Sequence, residues 1–113
     1  MEEEHVLLGN AREYWKNALL AEQNKEYNTS VTLFFKTLSA LSDIYILRKE
    51  KQMPSSHANR FRILETKYPD IYRIIDKDFP FYQNSYFQSM SKEIAEAIKD
   101  DTKIMAKKAE IKL

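Results

Sequence analysis

The chain has 113 residues, 43% hydrophobic and 31% charged, with one glycine, three prolines, no cysteine and a formal net charge of +1. That composition fits one globular domain, large enough for a real core but not for two. It excludes disulfides, thiol nucleophiles, cysteine metal sites and glycine-rich phosphate loops, and it supplies no bulk attraction to nucleic acid or an anionic membrane.

The opening Met-Glu-Glu-Glu-His lacks the basic-then-apolar layout of a signal peptide. No apolar run approaches ~18 residues free of charge. A cytoplasmic protein without a membrane span is expected. Residues 3–24 read as a first helix, with Leu7, Leu8, Ala11, Tyr14, Trp15, Ala18 and Leu19 on one stripe. Glu2, Glu3 and Glu4 stand where the helix dipole favours negative charge. Gly9 lowers local helix stability by ~1 kcal/mol relative to alanine. The short turn at Asn24 and Lys25 implies an antiparallel neighbour.

Tyr27 to Lys51 contains neither glycine nor proline and reads as the central helix. Tyr27, Val31, Phe34, Phe35, Leu38, Leu41 and Tyr45 follow the spacing of a buried face, and Leu33, Ala40, Ile44 and Leu47 widen it. At ~1.5 Å per residue the helix is roughly 35 Å long. A helix apolar around most of its circumference must be covered from several sides. Its remaining stripe is polar: Thr29, Thr32, Lys36, Ser39, Asp43 and Glu50.

Pro54 ends helical geometry at Met53, and Ser55 or Ser56 can cap a third helix over 56–67, with Ala58, Phe61 and Leu64 inward. Tyr68-Pro69-Asp70 predicts a break, with Asp70 capping a short fourth segment from Ile71 to Lys77. Phe79-Pro80-Phe81 predicts a second break, followed by a short aromatic turn or helix from Tyr82 to Ser89. The last helix, about 91–110, places Ile94, Ala97, Ile98, Ile104 or Met105, and Ala109 inward. No strand pattern, repeat or linker is visible. The expected fold is all-α: an up-down antiparallel four-helix bundle, with short extra helical segments between the third and last helices, forming a single domain over 1–113.

Charge is unevenly distributed despite the neutral total. From Arg48 to Lys67, six cations (Arg48, Lys49, Lys51, Arg60, Arg62, Lys67) face two acids (Glu50, Glu65), a net +4. In the first 24 residues two cations (Arg12, Lys16) face five acids (Glu2, Glu3, Glu4, Glu13, Glu22), a net −3. His57 lies inside the basic stretch, near a helix start whose partial positive charge depresses its pKa and favours anions. A neutral imidazole beside guanidinium groups suits phosphate chemistry, as a base for a hydroxyl and a cationic frame for the charged transition state. The plainer alternative is a solvated loop whose histidine caps or packs.

Asp43 can orient His57 or Arg60 across the bundle, or simply face water with Lys36 and Ser39. The aromatic run Phe79, Phe81, Tyr82, Tyr86 and Phe87 is expected in the core or at a protein contact rather than as a base-stacking platform. His5 and His57 lack metal-site spacing, so no metal or cofactor is expected. No phosphate-binding loop, dinucleotide fingerprint or serine-hydrolase elbow occurs.

Tyr27-Asn28-Thr29-Ser30-Val31, Phe34-Phe35-Lys36-Thr37-Leu38-Ser39-Ala40-Leu41-Ser42-Asp43, Met53-Pro54-Ser55-Ser56-His57 with Arg60-Phe61, and Tyr68-Pro69 carry a family likeness. Over about residues 5–110 the chain resembles the HEPN superfamily (higher eukaryotes and prokaryotes nucleotide-binding domains), in particular small archaeal HEPN-like proteins. The likeness lies in helix order, in the long second helix and in a proline-containing linker leading to a histidine. It implies an antiparallel bundle that dimerises, bringing two copies of the linker together.

Active members of that family are metal-independent ribonucleases with arginine, four to six residues, then histidine, often paired with a nucleotidyltransferase. Here those arginine positions hold Gln52, Lys51 and Glu50, and Arg48 lies eight residues before His57 by intervening count. Lysine lacks the bidentate fork of arginine. The expectation is therefore a non-catalytic, homodimeric module binding nucleotide or RNA phosphate through Asp43, Arg48, Lys49, Lys51, His57 and Arg60. Two alternatives accompany it. One is a toxin–antitoxin type ribonuclease with a degenerate motif, using His57 with Lys51, Asn59 or Arg60. The other is an interaction module for a nucleotidyltransferase-like partner.

Overall fold

A computed structural model describes residues 2–113, and among them it contains five helices and no strand. They are α1 (Glu2–Gln23), α2 (Tyr27–Glu50), α3 (His57–Lys67), α4 (Pro69–Asn84) and α5 (Lys92–Lys108). The chain is all-α, and its principal extents are 38 × 24 × 21 Å. Helix α2 packs against α1, α4 and α5; α3 lies on α4, and α4 also touches α5.

The central position of α2 follows from its composition. Phe34, Phe35, Leu38, Leu41, Ile44, Ile46 and Leu47 are almost wholly buried. By length and composition α2 could cross a membrane, but most of that stretch is covered by the other helices. Helix α1 approaches closely because Ala11 and Ala18, seven residues apart on one face, are both fully buried. Trp15 then meets Phe34 edge-on at 5.5 Å. The connection closes with Lys25 in the left-handed region (φ 59°) and the Glu26 N–H donating to the Ala21 carbonyl at 2.9 Å.

A Cβ at Gly9 would meet nothing within 4 Å, and its backbone is helical. Gly9→Ala should therefore stabilise the protein by ~0.5–1 kcal/mol. A urea midpoint that stays put or falls would show that the α1 N-terminal turns are frayed in solution.

Helix α3 begins where its cap predicts. Ser56 Oγ accepts from the Asn59 N–H at 3.0 Å, and Asn59 Oδ1 accepts from the Ser55 N–H at 3.0 Å, a reciprocal cap. Asp70 is not the cap of α4: Tyr68 holds that position and Pro69 opens the helix, leaving Asp70 in the first turn.

The break expected at Phe79-Pro80-Phe81 does not occur. Helix α4 runs through Pro80 to Asn84, because both flanks are anchored. Phe79 and Tyr82 lie 5.7 and 4.7 Å from the Phe35 ring, while Ile71, Ile75 and Asp78 are buried. Packing of that extent outweighs one missing backbone hydrogen bond and the steric cost of an interior proline.

The segment after α4 is tied down by Asn28. Its amide donates to the Ser85 carbonyl at 2.8 Å and the Gln88 carbonyl at 2.7 Å, and its Oδ1 accepts from the Met90 N–H at 2.9 Å. Tyr86 and Phe87 remain 94% and 70% exposed, so the aromatic run divides into a packed half and a surface half. In α5, Ala95 and Met105 are buried, whereas Ala97 and Ile104 face outward.

Candidate functional site

A cleft of about 200 Å³ opens where α1, α2, α3 and α4 meet. Its floor is α2, through Phe35, Lys36, Ser39, Ala40 and Asp43. Leu7, Asn10 and Tyr14 of α1, His57 and Arg60 of α3, and Tyr82 of α4 form the walls.

Asp43 does not face water. It is 7% exposed and accepts two hydrogen bonds from Arg60, itself 9% exposed: Nε to Oδ1 at 2.7 Å and Nη2 to Oδ2 at 2.8 Å. Lys36, Ser39 and Asp43 do share one face of α2, as the periodicity predicts. That face is roofed by α1 and α3, so the polar stripe becomes the floor of a cleft. A carboxylate at this depth requires such a partner, since an unpaired buried charge is costly.

Arg60 also reaches His57, with Nη1 2.7 Å from His57 Nδ1. A guanidinium only donates. His57 Nδ1 is therefore the acceptor, and on the neutral ring the proton sits on Nε2. This reverses the usual arrangement for a general base, in which Nδ1–H is held by a carboxylate and the Nε2 lone pair is free. In this geometry His57 presents an N–H donor.

The ring stands at the exposed rim with its inner side toward Phe79 and Tyr82, at 5.7 and 6.4 Å between centroids. That burial is the main cause holding its pKa below the ordinary histidine value. The Arg60 charge adds to the depression, Asp43 opposes it, and Lys36 adds a smaller effect. The direction agrees with a depressed histidine at a helix start, but the dominant cause is desolvation.

The predicted residues thus divide. Asp43, His57 and Arg60 come together in the cleft. Arg48 points elsewhere, donating to Glu4 at 2.9 Å and to the Ala109 carbonyl at 2.7 Å. Lys49 Nζ lies 5.5 Å from the Tyr45 ring centroid. Lys51 is the left-handed cap of α2 (φ 63°), its N–H on the Leu47 carbonyl. The Asn59 side chain is used in the α3 cap. Glu50 accepts from Lys67 at 2.5 Å and from the Tyr68 hydroxyl, which pushes the Tyr68 pKa up to about 12.

No family model matches the chain. A search of curated proteins finds no match either. The chemistry of the cleft therefore rests on its own residues.

Among those residues, Lys36, Ser39 and Tyr82 contribute in ways the sequence reading did not assign. Lys36 Nζ lies 5.8 Å from the Tyr82 ring centroid and forms no ion pair among the described residues. Ser39 is 8% exposed, and its Oγ is buried with no hydrogen-bond partner. The other buried serine and threonine hydroxyls of α2 bond back within the helix: Ser30 to the Tyr27 carbonyl, Thr37 to Leu33 and Ser42 to Leu38. Ser39 alone among them has no partner, its hydroxyl enclosed beneath the cleft that the residue lines. Among the described residues no cluster of three or more His, Cys, Asp or Glu is placed to hold a metal ion.

Proposed function

We propose that this chain is a HEPN-like, up-down antiparallel four-helix bundle with an added helical segment, cytoplasmic and homodimeric. In this reading it binds a nucleotide or an RNA phosphate in the His57 cleft without cleaving it. One observation carries the proposal: Arg60 Nη1 occupies the Nδ1 lone pair of His57, so the ring offers a donor rather than a base. Lys36 supplies an unpaired positive charge beside that donor, and Arg60 retains further N–H groups beyond its three bonds to Asp43 and His57. Donors and cations without a free base favour holding an anion over activating a hydroxyl.

The decisive variant is His57→Gln. A glutamine amide offers one acceptor to Arg60 and one donor outward, as the locked imidazole does, but it cannot act as a base at neutral pH. Binding of labelled RNA and of nucleotides should be salt-sensitive and should survive His57→Gln within about threefold, while His57→Ala weakens it about tenfold. No binding at low salt would overturn the proposal. Metal-free RNA cleavage lost in both variants would replace it with the ribonuclease reading.

A further inference from the structure

Beyond the phosphate reading and independently of it, we infer that the seam between α1 and α2 is a docking groove for a basic amphipathic helix of a partner protein. The His57 cleft is the middle of three depressions that lie in file. One of about 530 Å³, at Val6 and Met53, shares Leu7 and Asn10 with the cleft. Another of about 440 Å³, at Asn17 and Leu20, shares Tyr14 with it. Each draws on α1 from one side and on α2, or the linker after it, from the other. Glu3 and Asn24 mark the two ends of the file. At ~1.5 Å per residue it is about 30 Å long, the length of a roughly six-turn helix.

The periodicity of α1 sets the outer edge of the groove. Val6, Asn10, Glu13, Asn17 and Leu20 follow the i, i+4, i+7, i+11, i+14 spacing of one helix face, and all are exposed. Helix α1 turns Ala11 and Ala18 onto its neighbours, which leaves this second stripe without a covering helix. Val6 and Leu20 are 53% and 52% exposed, so an apolar anchor stands near either end. That is the arrangement that holds the apolar face of an amphipathic helix.

Charge selects the occupant. Glu2 and Glu3 line one end, and Glu13 and Glu26 line the other depression. None of the four forms an ion pair among the described residues. A second copy presenting the same face would set these carboxylates against one another, whereas lysines or arginines toward both ends of a partner helix complement them. Arg60 is taken up by Asp43, so Lys36 is left as the free cation in the middle of the groove, opposite which one carboxylate near the helix midpoint fits. Seated in this way the helix covers the His57 cleft, and it and a phosphate ligand exclude one another.

The test is fluorescence anisotropy of labelled model helices of about 21 residues with the intact protein: a leucine–lysine amphipathic helix, a scramble of the same composition, and a leucine–glutamate amphipathic helix. The leucine–lysine helix should bind at least about tenfold more tightly than either control. Val6→Lys and Leu20→Lys should each weaken it about tenfold. Ile104→Lys, at an apolar residue 47% exposed on α5 and outside the groove, should leave it within about twofold. One glutamate at the midpoint of the polar face should tighten binding about threefold, a gain lost in Lys36→Gln. Equal affinity for the amphipathic and scrambled helices, or a loss in Ile104→Lys matching that in Leu20→Lys, overturns the inference. So does a dimer of the protein alone that Leu20→Lys dissociates in sedimentation, since a second copy then fills the groove. None of these readouts involves phosphate, whose binding is measured separately in the His57 variants.

Discussion

Arg60→Met should destabilise the protein by about 3–5 kcal/mol, because it strips a buried carboxylate of its partner. Methionine keeps the aliphatic stem, so the loss reports the charge rather than a cavity. Both Asp43 oxygens are held by Arg60 at 2.7 and 2.8 Å, and neither side chain is more than about a tenth exposed. After the substitution Asp43 must remain charged and unpaired or take up a proton, and either costs free energy.

The double variant Asp43→Leu/Arg60→Met should recover most of the loss, since replacing both members of a buried pair by apolar groups is often neutral or better. Urea unfolding of the four proteins in the cycle measures this directly. A loss for Arg60→Met below about 1 kcal/mol would place the pair with exposed ion pairs of little consequence. The same pair fixes His57, so Arg60→Met also frees Nδ1 and should bring the histidine pKa back toward its ordinary value.

That pair shows where sequence reasoning succeeded and where it stopped. Helical periodicity placed Lys36, Ser39 and Asp43 on one face of α2 correctly, because spacing along a helix is local. Whether the face meets water depends on what α1 and α3 do, and that is not local. The cap at Ser56 was legible for the same reason that the fate of Pro80 was not. A cap needs only its next three residues, whereas the proline is carried by Phe35 from a helix more than thirty residues earlier.

Net charge along the chain was equally incomplete. It grouped Arg48, Lys49 and Lys51 with His57 by proximity in sequence. The end of α2 instead turns Arg48 toward Glu4 and the α5 terminus, while Lys36, twenty-one positions before His57, enters the cleft with it.

Asp78→Asn should abolish a loss of stability that the natural protein undergoes as pH rises toward 8. Asp78 of α4 is 1% exposed, and Asp101 of α5 is 7% exposed. Burial first, and then the neighbouring Asp101 carboxylate, push the Asp78 pKa up to about 8, with Lys77 opposing weakly. Lys77 Nζ stands 2.9 Å from Asp101 Oδ2, and this contact raises the lysine's own pKa. Asp78 Oδ2 has no partner of its own, and one proton shared with Asp101 satisfies both groups.

The sign follows from proton counts. Unfolded, Asp78 releases its proton near the ordinary value of 3.8, and folded near 8. Between those values the native state binds more protons, so stability falls as pH rises. The protonated contribution is complete below the lower value and is lost as pH passes through the upper one.

In Asp78→Asn the amide donates to Asp101 at every pH. Melting temperature from pH 5 to 8.5 should therefore be flatter than in the natural protein, and at pH 8 the variant should be more stable by about 2–3 kcal/mol. Asp101→Asn should flatten the profile less, because burial of Asp78, the larger cause, remains. A natural profile that already shows no decline from pH 5 to 8 would mean that Asp78 ionises freely, with water reaching the α4–α5 contact.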